Sequence, residues 1–263
     1  MKTISLAAAL GGALTLGSAH AALMNVGGVV WDPDSLFDFS STDTMVETIV
    51  GPGIGATIQG YAKITNLNNT GEAVFCPGCE LTYAFSGYTV SAIDAMTGAL
   101  TWSGGTIDVY VDSTPNYNGL LASTATDGVL FLSLAGEAHV DALTGLVGTL
   151  HSDQTPASTG VAGDGRGFLS VTGGLAAANF DTNSYPIVAD LMGTAGFADF
   201  LFTSSFQLLP NGNTFVSDDG VTYGLFGSND LSGNSISVPE PATITLAGLA
   251  LMGLGFNQRR KRV

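Results

Sequence analysis

The chain has 263 residues and a formal charge of −15, and 45% of its residues are apolar. That apolar content excludes a disordered polymer, and the length suits one or two domains. The charge distribution excludes nucleic acid as a partner: between residues 22 and 238 only Lys63 and Arg166 stand against 21 carboxylates, a formal −19, whereas phosphate binding needs clustered Lys and Arg.

Residues 1–21 read as a secretory signal peptide. Lys2 supplies the positive start, residues 4–16 form an apolar run, and Ala19-His20-Ala21 has the small-x-small form that signal peptidase requires. Cleavage after Ala21 is expected, with Ala19 and Ala21 as the recognition residues.

Residues 22–226 read as one β-rich ectodomain of the antiparallel sandwich or jelly-roll kind. The first strand candidates are 26–31 and 57–64, and the turn signal Asn68-Asn69-Thr70-Gly71 follows them. Cys76-Pro77-Gly78-Cys79 follows, holding both cysteines of the chain. A redox CxxC normally opens a helix in a βαβ pattern, and four-ligand zinc needs further Cys or His nearby. In an exported protein the expectation is a local Cys76–Cys79 disulfide across the Pro-Gly turn, with redox activity and free thiols as the alternatives.

Leu81, Tyr83 and Phe85 alternate with polar or small neighbours, and Ile107, Val109 and Val111 alternate with Asp108, Tyr110 and Asp112. Period-two alternation marks half-buried strands. Asp108 and Asp112 share a face but are about 13 Å apart by strand rise, beyond the spacing of a glycosidase acid pair. With Tyr110 they read as a polar sheet face or a weak sugar-contact face. Ile93-Asp94-Ala95-Met96-Thr97-Gly98 is echoed by Val140-Asp141-Ala142-Leu143-Thr144-Gly145, and both read as strand, Asp-led turn, strand. The two histidines of the mature chain, His139 and His151, fall on or near neighbouring strands. They read as ordinary surface histidines, with a metal pair across a hairpin as the alternative.

Residues 152–167 read as a long loop and 174–180 as a short helix. Phe200, Phe202, Ser204, Phe206 and Leu208 share one face of a strand, and 221–226 is the last strand candidate. Residues 227–238 are polar and Gly/Ser/Asn-rich, and read as a spacer. No metal or organic cofactor is expected from any motif. Calcium is the one ion that loops such as Asp32-Pro33-Asp34 and Asp218-Asp219-Gly220 could serve, since it takes carboxylate oxygens from flexible loops.

The last segment, 239–263, has three parts. Pro239-Glu240-Pro241 is followed by an uncharged run, 242–256, and then by Arg259, Arg260, Lys261 and Arg262 within the last five residues. Fifteen residues make a helix of about 22 Å, short for a bilayer core of about 30 Å, and the basic end should stay cytoplasmic. A C-terminal transmembrane helix is the expectation, with the ectodomain outside. These three parts in this order resemble the PEP-CTERM sorting signal of Gram-negative bacteria. The resemblance implies an exosortase as partner, cleavage near Pro239–Pro241, and delivery to the envelope, the cell surface or the extracellular space. It also implies a host that makes exopolysaccharide or biofilm. The middle region, notably Gly173 to Asn183, resembles other proteins with this tail to which no activity is assigned.

No GxSxG elbow and no HExxH motif is present. The functional expectation is a structural, non-enzymatic surface or matrix protein associated with exopolysaccharide. A carbohydrate-binding sandwich module is the alternative, and a secreted hydrolase stands behind both.

Overall fold

The computed structural model describes residues 23–35, 37–51, 53–153, 162–188 and 195–237. The expected signal peptide with Ala19 and Ala21 lies outside the described residues, as do Pro239, Glu240, Pro241, the 242–256 run and the basic cluster Arg259, Arg260, Lys261 and Arg262. Among the described residues no helix is long and apolar enough to cross a membrane.

In chain order the strands are β1 (Met24–Val26), β2 (Val29–Trp31), β3 (Phe37–Thr48), β4 (Thr57–Lys63), β5 (Asn66–Leu67), β6 (Thr70–Gly71), β7 (Glu80–Ile93), β8 (Leu100–Asp112) and β9 (Val129–Glu137). Then come β10 (His139–Val140), β11 (Val147–Gly148), β12 (Leu150–Ser152), β13 (Ala162–Gly173), β14 (Tyr185–Val188), β15 (Ala195–Ala198), β16 (Phe200–Leu208), β17 (Phe215–Val216) and β18 (Thr222–Gly233). Among the described residues there are two single-turn α-helices, α1 (Glu72–Phe75) and α2 (Ala177–Phe180), and two short 3-10 turns; of the α-helices the second was expected from the alanine run.

The all-β antiparallel expectation holds, and the connectivity departs from a sandwich or jelly roll. Neighbours in the wall are neighbours in sequence: β3, β4, β7, β8, β9, β13, β16 and β18 pair in turn, and β18 pairs back to β3. The sheet is therefore a closed, up-and-down barrel, which removes the free edges an open sheet would present. Six register shifts interrupt the ladders, on β3–β18 (two), β4–β7, β7–β8, β8–β9 and β9–β13. Each adds the local bend and twist that a closing sheet needs.

One wall position is split. Glu137 at the end of β9 faces Phe168 on β13, and Leu150 at the start of β12 faces the adjacent Gly167. Thus β12 resumes the line of β9, and the hairpin β10–β11 between them is an excursion from the wall. The excursion turns at Asp141 as β7–β8 turns at Asp94. Asp94 Oδ1 accepts Thr97 N–H at 2.7 Å and Asp141 Oδ2 accepts Thr144 N–H at 3.1 Å, and Gly98 and Gly145 both take positive φ. The sequence echo is a repeated turn.

The expected inward faces are observed. Leu81, Tyr83, Ile107, Val109, Val111, Phe200 and Phe202 are buried in one core with Trp102, Leu132, Leu134 and Leu231. Each large apolar side chain so buried contributes about 1.5–3 kcal/mol. One end of the barrel is capped by the hairpin β1–β2. Its Trp31 stacks on Phe180 at 5.2 Å and meets Phe131 edge-on at 6.2 Å. Cys76 and Cys79 are bonded to each other near this end, and Cys79 Sγ lies 3.7 Å from the Gly28 carbonyl oxygen of the capping hairpin.

The segment expected to be a spacer is corrected by the fold. Residues 227–233 are the second half of β18, paired on one side to β16 and on the other to β3. Ser235 is buried beyond it, so the packed structure continues past the strand. The composition misled because the strand's outward positions, Ser228, Asp230 and Ser232, are polar, and its inward positions include Gly227 and Asn229. The expected 152–167 loop is likewise corrected at both ends, by Ser152 in β12 and by β13 from Ala162 onward.

Candidate functional site

A trough of about 580 Å³ runs across the outside of β13, β16, β18 and β3. Register builds it. Gly165 pairs with Ser204, Ser204 with Asn229, and Asn229 with Ser41, so these four residues form one transverse row. Their side chains point inward or are absent, and their backbone forms the trough floor. The rows on either side point outward and form its walls. One wall is Arg166, Thr203, Asp230 and Ser40 in cross-strand register; the other carries Asp164, Ser205, Ser228 and Thr42. Asp153 closes one end.

Every wall residue is polar, and small hydroxyls dominate. Arg166 is held at the closed end: its Nη2 donates to Asp141 Oδ1 at 2.8 Å and lies 3.6 Å from Asp153. Burial is the largest influence on Asp141 and works against its ionisation, but bonds from Thr144 and Arg166 outweigh it and hold the carboxyl down at about 2. Asp230 shifts the other way. Burial and the neighbouring Asp38 carboxyl push it up to about 6, and its Oδ1 is a buried oxygen with no hydrogen-bond partner. Behind the floor Asn229 Oδ1 accepts Ser41 Oγ–H and, at 2.7 Å, Tyr83 O–H, so a buried polar knot fixes the row from inside.

A second recess of about 380 Å³ lies on the wall of β4, β7 and β8 and includes Gln59, Asp108, Tyr110, Asp219 and Tyr223. The structure thus places Asp108 and Tyr110 together on an outward face, as the alternation implied. Asp108 Oδ1 accepts Ser133 Oγ–H at 2.5 Å. Asp112 Oδ1 instead accepts Thr114 N–H at 2.8 Å at the strand end, outside the recess. Asp219 accepts Tyr223 O–H at 2.7 Å and Val221 N–H at 2.9 Å. Asp218 Oδ1 accepts Ser123 N–H at 3.2 Å. These loop carboxylates tie down the turn. Among the described residues no three His, Cys, Asp or Glu side chains converge to hold a metal ion.

His139 and His151 do face each other, with ring centroids 4.7 Å apart, but they are buried rather than on the surface, 6% and 3% exposed, packed between the outer wall and the β10–β11 excursion. Their nitrogens are turned to Glu137 O at 3.0 Å, His139 O at 3.4 Å and Thr101 Oγ1 at 3.4 Å. Burial pushes both imidazoles below the ordinary value.

Sequence reasoning missed one further titratable group. Glu47 points into the barrel, 3% exposed, beside an inner cavity of about 30 Å³ walled by Met45, Ile58, Trp102 and Phe206. Burial pushes its carboxyl up to about 8, so it is uncharged at neutral pH. The inward position, every second residue from Phe39 through Ser41 and Met45, was the available signal.

Residues 237–261 match the PEP-CTERM protein-sorting motif. No curated protein and no solved structure matches the chain.

Proposed function

We propose that this chain is an exported, exosortase-processed surface protein whose barrel serves as a non-catalytic, structural component of an exopolysaccharide or biofilm matrix. The sorting motif at 237–261 carries the reading, since it implies exosortase processing and delivery to the surface. The acidic barrel suits solubility outside the cell, and the closed wall removes the long free edges an open sheet would offer for aggregation. In this reading signal peptidase removes 1–21 and exposes Ala22, the 242–256 run anchors the chain transiently, and cleavage falls near Pro239–Pro241. Terminal mass mapping of the surface protein from its native host tests the sequence of events. A mature protein still ending at Val263 would refute processing.

The trough favours a second reading, carbohydrate binding. A linear glycan running across four strands about 4.8 Å apart would meet a wall of hydroxyls and carboxyls every strand, over a volume typical of ligand sites. Ser228→Trp should fill the trough and abolish glycan-array signals while leaving the far-UV spectrum unchanged. Signals that survive this change would exclude the trough as the sugar site.

A further inference from the structure

We infer that, until the tail is cut, the barrel stands end-on against the bilayer, with the rim around Leu130, Leu175 and Ile236 in contact with lipid. This rests on the reading that the 242–256 run enters the membrane. The barrel does not hang on a flexible tether. Beyond β18 the chain stays clamped to the cap: Trp31 Nε1 donates to Ser235 Oγ at 3.1 Å. Ile236 is held from both sides, its N–H donating to Asn179 O at 2.8 Å and its carbonyl accepting Asn179 Nδ2 at 3.1 Å.

Ile236 is the last residue so held, and five residues, 237–241, precede the apolar run. Fully extended, five residues span about 18 Å. The headgroup layer takes up about 5–7 Å of that on its way to the hydrocarbon boundary. The rim thus lies within about 12 Å of the lipid surface even with the tether taut, and in contact with it when the tether is relaxed.

The rim is furnished for that contact. Ile236 is 49% exposed, Leu175 53%, Leu130 36% and Val129 59%. They form one neighbourhood: Leu175 N–H donates to Leu130 O, and Leu175 lies four residues from the Asn179 that holds Ile236. Exposed apolar side chains also occur at the other end, where Met96 stands on the Asp-led turn between β7 and β8. Exposure alone does not choose an end; the clamped exit of the tail does. The 14 residues of β7 run between the ends. At about 3.3 Å per residue and a tilt of about 40°, that separates Met96 from the rim by about 35 Å.

The test uses the full uncleaved chain in nanodiscs of phosphatidylcholine and phosphatidylethanolamine, with its native disulfide intact. A fluorophore is placed at Leu130→Cys or Leu175→Cys, or at Met96→Cys for the far end, and brominated lipid is the quencher. Rim labels should be quenched several-fold more than far-end labels. Inserting a 15-residue Gly-Ser linker after Ser237 should bring the rim labels down to the far-end level while the protein still co-floats with the discs. Co-flotation with equal quenching at both ends would overturn the end-on contact and leave anchoring intact. Failure to co-float would overturn the anchoring reading, and this inference with it.

Discussion

Replacing Glu47 by Gln removes a proton-binding group from the barrel interior without changing its shape. In the folded chain the Glu47 carboxyl titrates at about 8, against an ordinary value of 4.5. Between those two values the unfolded chain releases a proton that the folded barrel keeps. The folded state then binds more protons than the unfolded one, so stability falls as pH rises from 4.5 to 8 and is level beyond. A shift of about 3.5 units at 1.36 kcal/mol each makes the loss about 5 kcal/mol, comparable to much of a small domain's stability. The assay is urea unfolding of the exported protein and its Glu47→Gln variant at half-unit steps from pH 4 to 9. Taking the difference between the two cancels the contributions of Asp230, Asp141 and the histidines, which both proteins share. At pH 4 the two should be nearly equal, and the variant should gain steadily on the wild type up to pH 8. Parallel curves, differing by less than about 1 kcal/mol across the range, would show that the carboxyl is solvated and that the desolvation argument is wrong.

Gly105→Ala should cost roughly 2–4 kcal/mol, because a methyl group there meets the Tyr88 ring at 2.1 Å and φ is +94°; an unchanged urea midpoint would refute the packing of that ring. Trp31→Phe removes the bond to Ser235, worth about 1 kcal/mol, and should speed hydrogen exchange at the Ile236 amide; unchanged exchange would show that the clamp does not depend on the indole. The buried His139 and His151 bind protons less readily when folded, so below pH 6.5 the unfolded chain takes up protons first and stability falls with acidification. Following their ring C–H resonances against pH tests this, and a histidine titrating at or above 6.5 contradicts the burial.

The sequence alone determined the local periodicities. Ile107, Val109 and Val111 alternate with Asp108 and Tyr110, Phe200 to Phe206 line one face, and Asp94 and Asp141 repeat one turn, because side-chain alternation and turn chemistry are set by neighbours a few residues away. The sorting signal was legible for a similar reason: its three parts act in linear order and need no fold. What tertiary structure decided is which strand lies beside which. The closing pair β18–β3 joins residues 175 to 196 positions apart, from Tyr223 with Thr48 to Gly233 with Phe37, and no local pattern encodes that partner. Residues 227–233 therefore read as a spacer when taken singly, since a polar outward row with Gly and Asn inward has the composition of a linker; two flanking strands make it part of the wall. The trough follows from the same register, which brings residues from positions 40–42, 164–166, 203–205 and 228–230 side by side. The burial of Glu47 and of the two histidines was equally hidden, because a residue type reports its cost when buried but not what covers it: closure of the barrel takes Glu47 out of water, and the β10–β11 excursion packed on the outer wall covers His139 and His151.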